Sequence, residues 1–444
     1  MVAGKQPRPT PGERIGPENL TFVWGMESLP ICDTPAHFFV VGGVGSGKTI
    51  TLRLLMESVL PYIGLGFDHR ALVYDLMGTL APALRGMGLR CPLHVLNPFD
   101  RGGVAWDIAA DIHSPLAAQQ IAAFLLPQDG STPPFCADAA RQLLAAVCLS
   151  FINSSPGRWT LRDVILATRN SKRLASLLSR APETAAVLQS SLNDKRTRVT
   201  ILQTLAAKLE PLAVVAACWD KANEKLSLEH WLHEEGVILL GYNPLFYRSV
   251  ALINQAMMGL LAHLSFTQVQ SAGRRTWIFL DEFSELGRIE SLPVLMQQGR
   301  SKGVCVALSF RRLEEIHRLY GAEVADDLAA ACIHKTALRI GDTQTAQWAE
   351  RQFSFLFRAD QLMSLPLAGP KNGFAGFHQT PRAGAHLTHK PWDWVLAHFP
   401  SREEAGLTDD LRPESDHDLQ DWTQEDYRRL AFAELPRNGT SSHR

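Results

Sequence analysis

Apolar residues along this chain fall into two rhythms. Short, mainly apolar runs stand at 38–41, 71–74, 93–96, 237–240, 277–280, 304–308 and 336–340, with His94, Thr336 and Arg339 their polar members. A strand covered on both faces reads that way, so these runs predict buried strands of one mainly parallel sheet. From 107 to 232 the apolar positions recur instead at helical spacing, as in "SPLAAQQIAAFLL", "FCADAARQLLAAVCLSFI", "TLRDVILATR", "SKRLASLLSR" and "RVTILQTLAAKL". That period places them on one side of successive helices. Thr160 with Asp163 reads as a capping box at one helix start, Asp standing in for Glu. The pattern predicts an α/β sheet domain, discontinuous over 35–106 and 233–400, and an all-α domain inserted at 107–232.

The ends read differently. "MVAGKQPRPTPGERIGPENL" is polar and rich in Pro and Gly, without the apolar centre of a secretory signal, so 1–34 is expected to be a flexible lead-in. Residues 401–444 carry 11 acidic and 6 basic side chains, against a net charge of −1 for all 444 residues, which makes an acidic tail on a mildly basic body. That balance makes no global argument for nucleic acid and permits local contacts. Within the tail, "LQDWTQEDYRRLAF" reads as a short amphipathic helix, either packed on its own domain or serving as a docking element. No stretch of about 18 residues stays apolar, the regions near 143–152 and 253–266 being too short or interrupted, so no membrane span is expected. Seven scattered cysteines without a C-x-x-C pair suit a reducing cytoplasm. His230 and His233 lack the H-E-x-x-H spacing of a metal site and read as a solvated helix face.

The run at 38–41 leads into "GGVGSGKT", where Gly42, Gly47, Lys48 and Thr49 fit G-x-x-x-x-G-K-[ST] between a strand and a helix. Glycines there let backbone N–H groups curl around a phosphate chain, and the following helix start points its positive end at the same oxygens. Gly42, Gly43, Val44, Gly45, Ser46, Gly47, Lys48 and Thr49 are the expected nucleotide-binding residues, with Lys48 on the β/γ-phosphates and Thr49 on Mg²⁺. Far downstream, the run at 277–280 ends in Asp281 and Glu282, a Walker B pattern. Asp281 is expected to hold Mg²⁺, and Glu282 to polarise the attacking water. ATP and Mg²⁺ are the expected cofactors.

From Asp281 onward, "FLDEFSELGRIESLPVLMQQGRSKGVCVALSFRRLEEIHRLYG" at 279–321 resembles type IV coupling proteins, the TraD/TraG-like relatives of the FtsK and HerA DNA translocases. "VLNPFDRGGVAWDI", "FCADAARQLLAAV", "TALRIGDTQTA" and "FRADQLMSLP" extend the likeness over roughly 35–380. The resemblance implies a RecA-like P-loop NTPase domain that assembles as a homo-hexamer, hydrolyses ATP between subunits and moves DNA through a central channel. It implies delivery to a secretion channel, with a relaxase, a channel component or a membrane protein as partner. By the same resemblance Arg339 is the residue that best matches an arginine reaching the neighbouring subunit's nucleotide, with Arg300 and Lys302 in reserve and Asp342 a rival local partner for Arg339.

Three departures qualify it. Arg311 stands where the family usually has a Gln that senses the γ-phosphate, so sensing is altered or the arginine itself meets phosphate. Asp75-Leu76-Met77-Gly78 replaces the usual Asp-Pro-Lys-Gly. The segment before the phosphate loop is too short for the two transmembrane helices of membrane-bound relatives, so the expectation is a cytoplasmic protein without a span of its own, recruited to the inner membrane by a partner. Lys195, Arg196 and Arg198 in "NDKRTRVT" are the candidate DNA contacts. Two rival readings stay open: a HerA-like motor paired with a nuclease or defence system, and a cargo receptor that uses nucleotide only to hold its shape.

Overall fold

The structure, a computed structural model, describes residue 16, residues 19–398 except 77, 79, 129–131 and 193–194, and residues 411–432. These fall into two compact units. One comprises Met1–Asn97, His230–Asn243 and Leu261–Asp409; the other comprises Pro98–Glu229, Pro244–Leu260 and Asp410–Arg444.

The strands are β1 (Thr21–Trp24), β2 (Glu27–Pro30), β3 (His37–Val41), β4 (His69–Tyr74), β5 (Leu93–Leu96), β6 (Ala105–Trp106), β7 (Lys225–Leu226), β8 (Val237–Leu240), β9 (Arg275–Leu280), β10 (Val304–Phe310), β11 (Cys332–Ala337), β12 (Phe374–Thr380) and β13 (Gly384–Lys390). Nine of them form the sheet of the first unit in the order β13-β12-β11-β3-β10-β9-β4-β8-β5. From β11 to β5 every pairing is parallel, and β12 and β13 add an antiparallel edge. The strands β3, β4, β8, β9 and β10 are buried at every position, which is why the sequence shows unbroken apolar runs there. This is the α/β, mainly parallel sheet expected of the chain.

Several expectations need correction. The lead-in is not flexible over its second half: β1 and β2 form a hairpin whose Phe22 and Trp24 are buried in the sheet unit's core. Its turn residues, Gly25 and Met26, both take positive φ, as a tight hairpin requires. The run at 336–340 is displaced, because the strand is Cys332–Ala337 and the ladder closes with Leu338 N–H donating to Val41 O at 2.9 Å. His334 and Lys335 break the apolar run where the strand is in fact paired on both sides. The apolar regions near 143–152 and 253–266 are longer than the sequence suggests: they lie inside Pro134–Ser154 and Tyr247–Thr267, two helices of 21 residues that are long and apolar enough to cross a membrane by length and composition. Of their most apolar windows, 56% and 67% respectively is buried inside the protein, so much of that apolar character serves packing.

In the helical unit, Pro134–Ser154 is the longest helix lying wholly within it and packs against Pro115–Leu125, Pro182–Leu192 and Lys195–Leu209. The capping box of Thr160 and Asp163 opens Leu161–Arg169. Residues 244–260, which their position in sequence would assign to the sheet, cluster with this unit. So does the C-terminal stretch: its helix, Gln424–Arg429, packs on the unit rather than standing free. Trp422 Nε1 donates to Asp163 at 2.8 Å, Arg429 grips the same fully buried carboxylate at 2.8 and 3.0 Å, and Arg162 and Arg173 pair with Asp426 and Asp421 at 3.2 and 2.9 Å.

Candidate active site

Parallel strands deliver their C-terminal ends to one edge of the sheet, and the polar residues that follow β3, β4, β9 and β10 meet there. After β3 the backbone passes through Gly42–Thr49 into the helix Lys48–Val59. Gly47 caps that helix with φ 105°, a conformation L side chains rarely adopt, and a Cβ on it would stand 2.5 Å from the Phe374 ring. The loop is tied to its neighbours by Gly43 N–H donating to Arg339 O at 2.7 Å and Ala368 N–H donating to Gly45 O at 3.0 Å.

Across the loop lies the end of β9. Thr49 Oγ1 donates to Asp281 at 2.6 Å, and Lys48 Nζ stands 3.0 Å from Glu282 while donating to the carbonyls of Gly42 and Gly43. Ser309, on the intervening strand β10, donates its hydroxyl to Asp281 and accepts from Glu282 N–H at 2.8 Å. Glu282 is held at φ 50°, outside the ordinary range for a side-chain-bearing residue, and this strained turn aims its carboxylate at Lys48. Burial pushes the Glu282 carboxyl up, and Lys48 opposes that shift. Arg311, the first residue after β10, reaches Glu282 at 3.3 Å, Glu285, and Glu315 at 3.6 Å.

These groups line a cleft of about 550 Å³, within the usual range for a small-molecule site. The lining mixes charged groups, Lys48, Asp75, Asp281, Glu282, Glu285 and Arg311, with apolar ones, among them Val44, Ile50, Ala368 and Trp392. A hydroxyl and a carboxylate 2.6 Å apart are hard oxygen donors of the type that suits Mg²⁺. The structure therefore brings together Lys48, Thr49, Asp281, Glu282 and Arg311. Arg339 meets the loop through its backbone carbonyl, while its side chain is exposed and, among the described residues, has no ion pair. Its rival partner Asp342 instead caps Thr343–Gln352 by accepting from Thr345 N–H at 2.8 Å. Arg300 and Lys302 precede β10, at the opposite end of that strand from the cleft, and donate to the carbonyls of Pro35 and Gln268. Lys195 and Arg196 begin the helix Lys195–Leu209, but their side chains lie outside the described residues; Arg198 is exposed.

Sequence reading missed Ser309 and Trp392. A serine inside a buried strand carries no motif, and Trp392 follows β13, a strand whose alternating pattern gives no continuous apolar run. Asp75 lines the cleft and caps Leu80–Gly86 by accepting from Leu80 N–H at 2.7 Å.

A phosphate loop after one parallel strand, with acids at the end of the strand two places away, defines the RecA-like class of P-loop α/β folds. Within that class, the chain belongs to the family described as type IV secretion-system coupling protein DNA-binding domain, whose model matches residues 23–355. It is 20% identical over 299 residues to the coupling protein TraD of Escherichia coli K12, covering 66% of this chain and 40% of TraD, so it spans about two fifths of that relative's length. Among solved structures it resembles the bacterial conjugative coupling protein TrwBdeltaN70 in an unbound form, with TM-score 0.70, 16% identity and coverage of 84% of this chain and 89% of that one. It also resembles the plasmid coupling protein TrwB in complex with ADP and Mg²⁺, with TM-score 0.68, 17% identity and coverage of 83% and 89%.

Proposed function

We propose that this chain is an ATP- and Mg²⁺-dependent DNA-translocating motor of the type IV secretion coupling kind, working as a homo-hexamer that delivers DNA or a nucleoprotein to a secretion channel. The observation that carries the reading is the convergence of Lys48 and Thr49 with Asp281 and Glu282 in one cleft, whose lining is part charged and part apolar. A nucleoside triphosphate offers such a lining both a charged chain and an aromatic base. The binding of ADP and Mg²⁺ by TrwB supports the choice of ligand.

In this reading Gly42–Thr49 cradle the phosphates with their N–H groups, Lys48 moves from Glu282 to the β/γ-oxygens, and Thr49 with Asp281 holds Mg²⁺. The metal supplies neutralisation of the phosphate charge. Glu282 accepts the proton of the attacking water, a role that its burial and raised proton affinity favour. Ser309 keeps Asp281 and Glu282 in register. Arg339, exposed and without an ion pair among the described residues, is available to a neighbouring subunit's nucleotide, and Arg198 to DNA. The work is done at the cytoplasmic face of the inner membrane, with a partner protein there.

The test is ATP turnover by the purified chain with and without single- and double-stranded DNA. Turnover should rise with DNA and drop by about 10²–10⁴-fold in Glu282→Gln, the range typical of a lost general base. Turnover absent in every condition, with ATP still bound, would sink the motor and favour the cargo-receptor reading.

A further inference from the structure

Arg311 occupies an unusual place. Among the described residues it is one of two cations lining the cleft, against four carboxylates, and a triphosphate entering there carries several negative charges. It emerges between the two ends that define the site, because β10 lies between β3 and β9. Its position is also incompletely satisfied. Nε faces Glu282 Oε2 at 3.3 Å, yet both atoms are buried and neither makes a hydrogen bond within the protein. The other carboxylate oxygen, Oε1, is 3.0 Å from Lys48. Glu282 is thus held between two cations, Lys48 at Oε1 and Arg311 at Oε2. The rest of the guanidinium is held by Glu285, which itself lines the cleft, and by Glu315 on Leu313–Tyr320.

From this geometry, and resting on the nucleotide reading above, we infer that Arg311 is a latch worked by the terminal phosphate from within the same chain. A triphosphate competes with Glu285 and Glu282 for the guanidinium, draws it onto the terminal oxygens, and so frees Oε2 of Glu282 for water. A diphosphate does not extend to Arg311 and leaves the latch in place. Arg311 then makes the site distinguish triphosphate from diphosphate, and ties release of the base to the presence of the group it is to attack. The pairing with Glu282 lacks a hydrogen bond and so opposes the exchange little, and the charge-assisted bond to Glu285 is the one the phosphate must outcompete.

The experiment compares Kd for AMP-PNP and for ADP, each with Mg²⁺, by calorimetric titration of the folded full chain and its variants. Arg311→Ala should weaken AMP-PNP by about tenfold or more, a typical range for losing one charge-assisted contact, and leave ADP within about twofold. Arg311→Lys should restore part of that loss, a point charge replacing a fork. Glu285→Gln, which removes a competitor for the guanidinium at an exposed position, should strengthen AMP-PNP several-fold and leave ADP unchanged. Equal changes for both ligands in Arg311→Ala, or an unchanged AMP-PNP to ADP ratio in Glu285→Gln, would overturn the latch while leaving the nucleotide site intact. Failure of the unmutated chain to bind either ligand would overturn both.

Discussion

At the scale of single residues, the cleft separates what motifs announce from what only folding assembles. Lys48, Thr49, Asp281 and Glu282 were legible because phosphate and metal chemistry require those types next to a strand end. Trp392 was not, since stacking a base asks only for an aromatic face, and any tryptophan in the chain could have supplied it. Half-buried in the lining of the cleft, Trp392 offers such a face. Aromatic stacking on a base is worth about 1–3 kcal/mol. Trp392→Ala should therefore weaken ATP and GTP alike, by about five- to a hundredfold, and Trp392→Phe should retain most of the affinity. Titration with both nucleotides checks it; a variant that weakens only one would show a base-reading contact elsewhere.

At the scale of elements, what the sequence concealed was pairing that leaves no apolar run. Sheet strands β3, β4, β8, β9 and β10 were visible because both faces are covered, whereas β13 alternates between half-buried and exposed positions and is held by its hydrogen bonds to β12. The hairpin β1–β2 was hidden by the Pro- and Gly-rich composition around it, although Phe22 and Trp24 carry its burial. The phosphate loop is equally an element with a constraint, because the turn at Gly47 leaves no room for a methyl group against Phe374. Gly47→Ala should cost about 1–3 kcal/mol from backbone strain alone and displace the loop, measured as lower unfolding midpoint and lost nucleotide binding. On the helical unit, Arg429→Ala leaves Asp163 as a fully buried carboxylate whose remaining donors are neutral. Breaking such a pair costs about 3–5 kcal/mol, and the Asp163→Asn background should recover much of it. A loss in Arg429→Ala below about 1 kcal/mol by chemical denaturation would show that water reaches Asp163.

At the scale of the whole molecule, the change of rhythm near residue 107 announced a helical stretch, but not that the units divide at Asn97 and Pro98, nor the allegiance of 244–260 and of the C-terminal stretch, because helical periodicity names a face without naming what covers it. The sheet unit also carries a collective sensitivity to acid. Burial lowers His37, His69 and His334 to about 4 and His378 to about 3, so each stays neutral in the fold. In the unfolded chain the same groups titrate near 6.5. Below about pH 6.5 the unfolded chain takes up protons that the folded one refuses, so stability is full above that point and falls as the pH drops toward 4. All four groups act in the same direction, so the unit should lose stability progressively between about pH 6.5 and 4. Fluorescence-monitored unfolding across that range tests this; undiminished stability at about pH 4 would refute it. The order of the chain adds a consequence in time. Asp163 leaves the ribosome long before Trp422 and Arg429, which are its partners, and proteins are made from the amino end at about 5–20 residues per second. The helical unit therefore waits more than 250 residues, on the order of ten seconds or more, with that carboxylate met by the neutral donors of Thr160 alone, and a nascent chain halted before residue 422 is marked as unfinished by a charge without its cation.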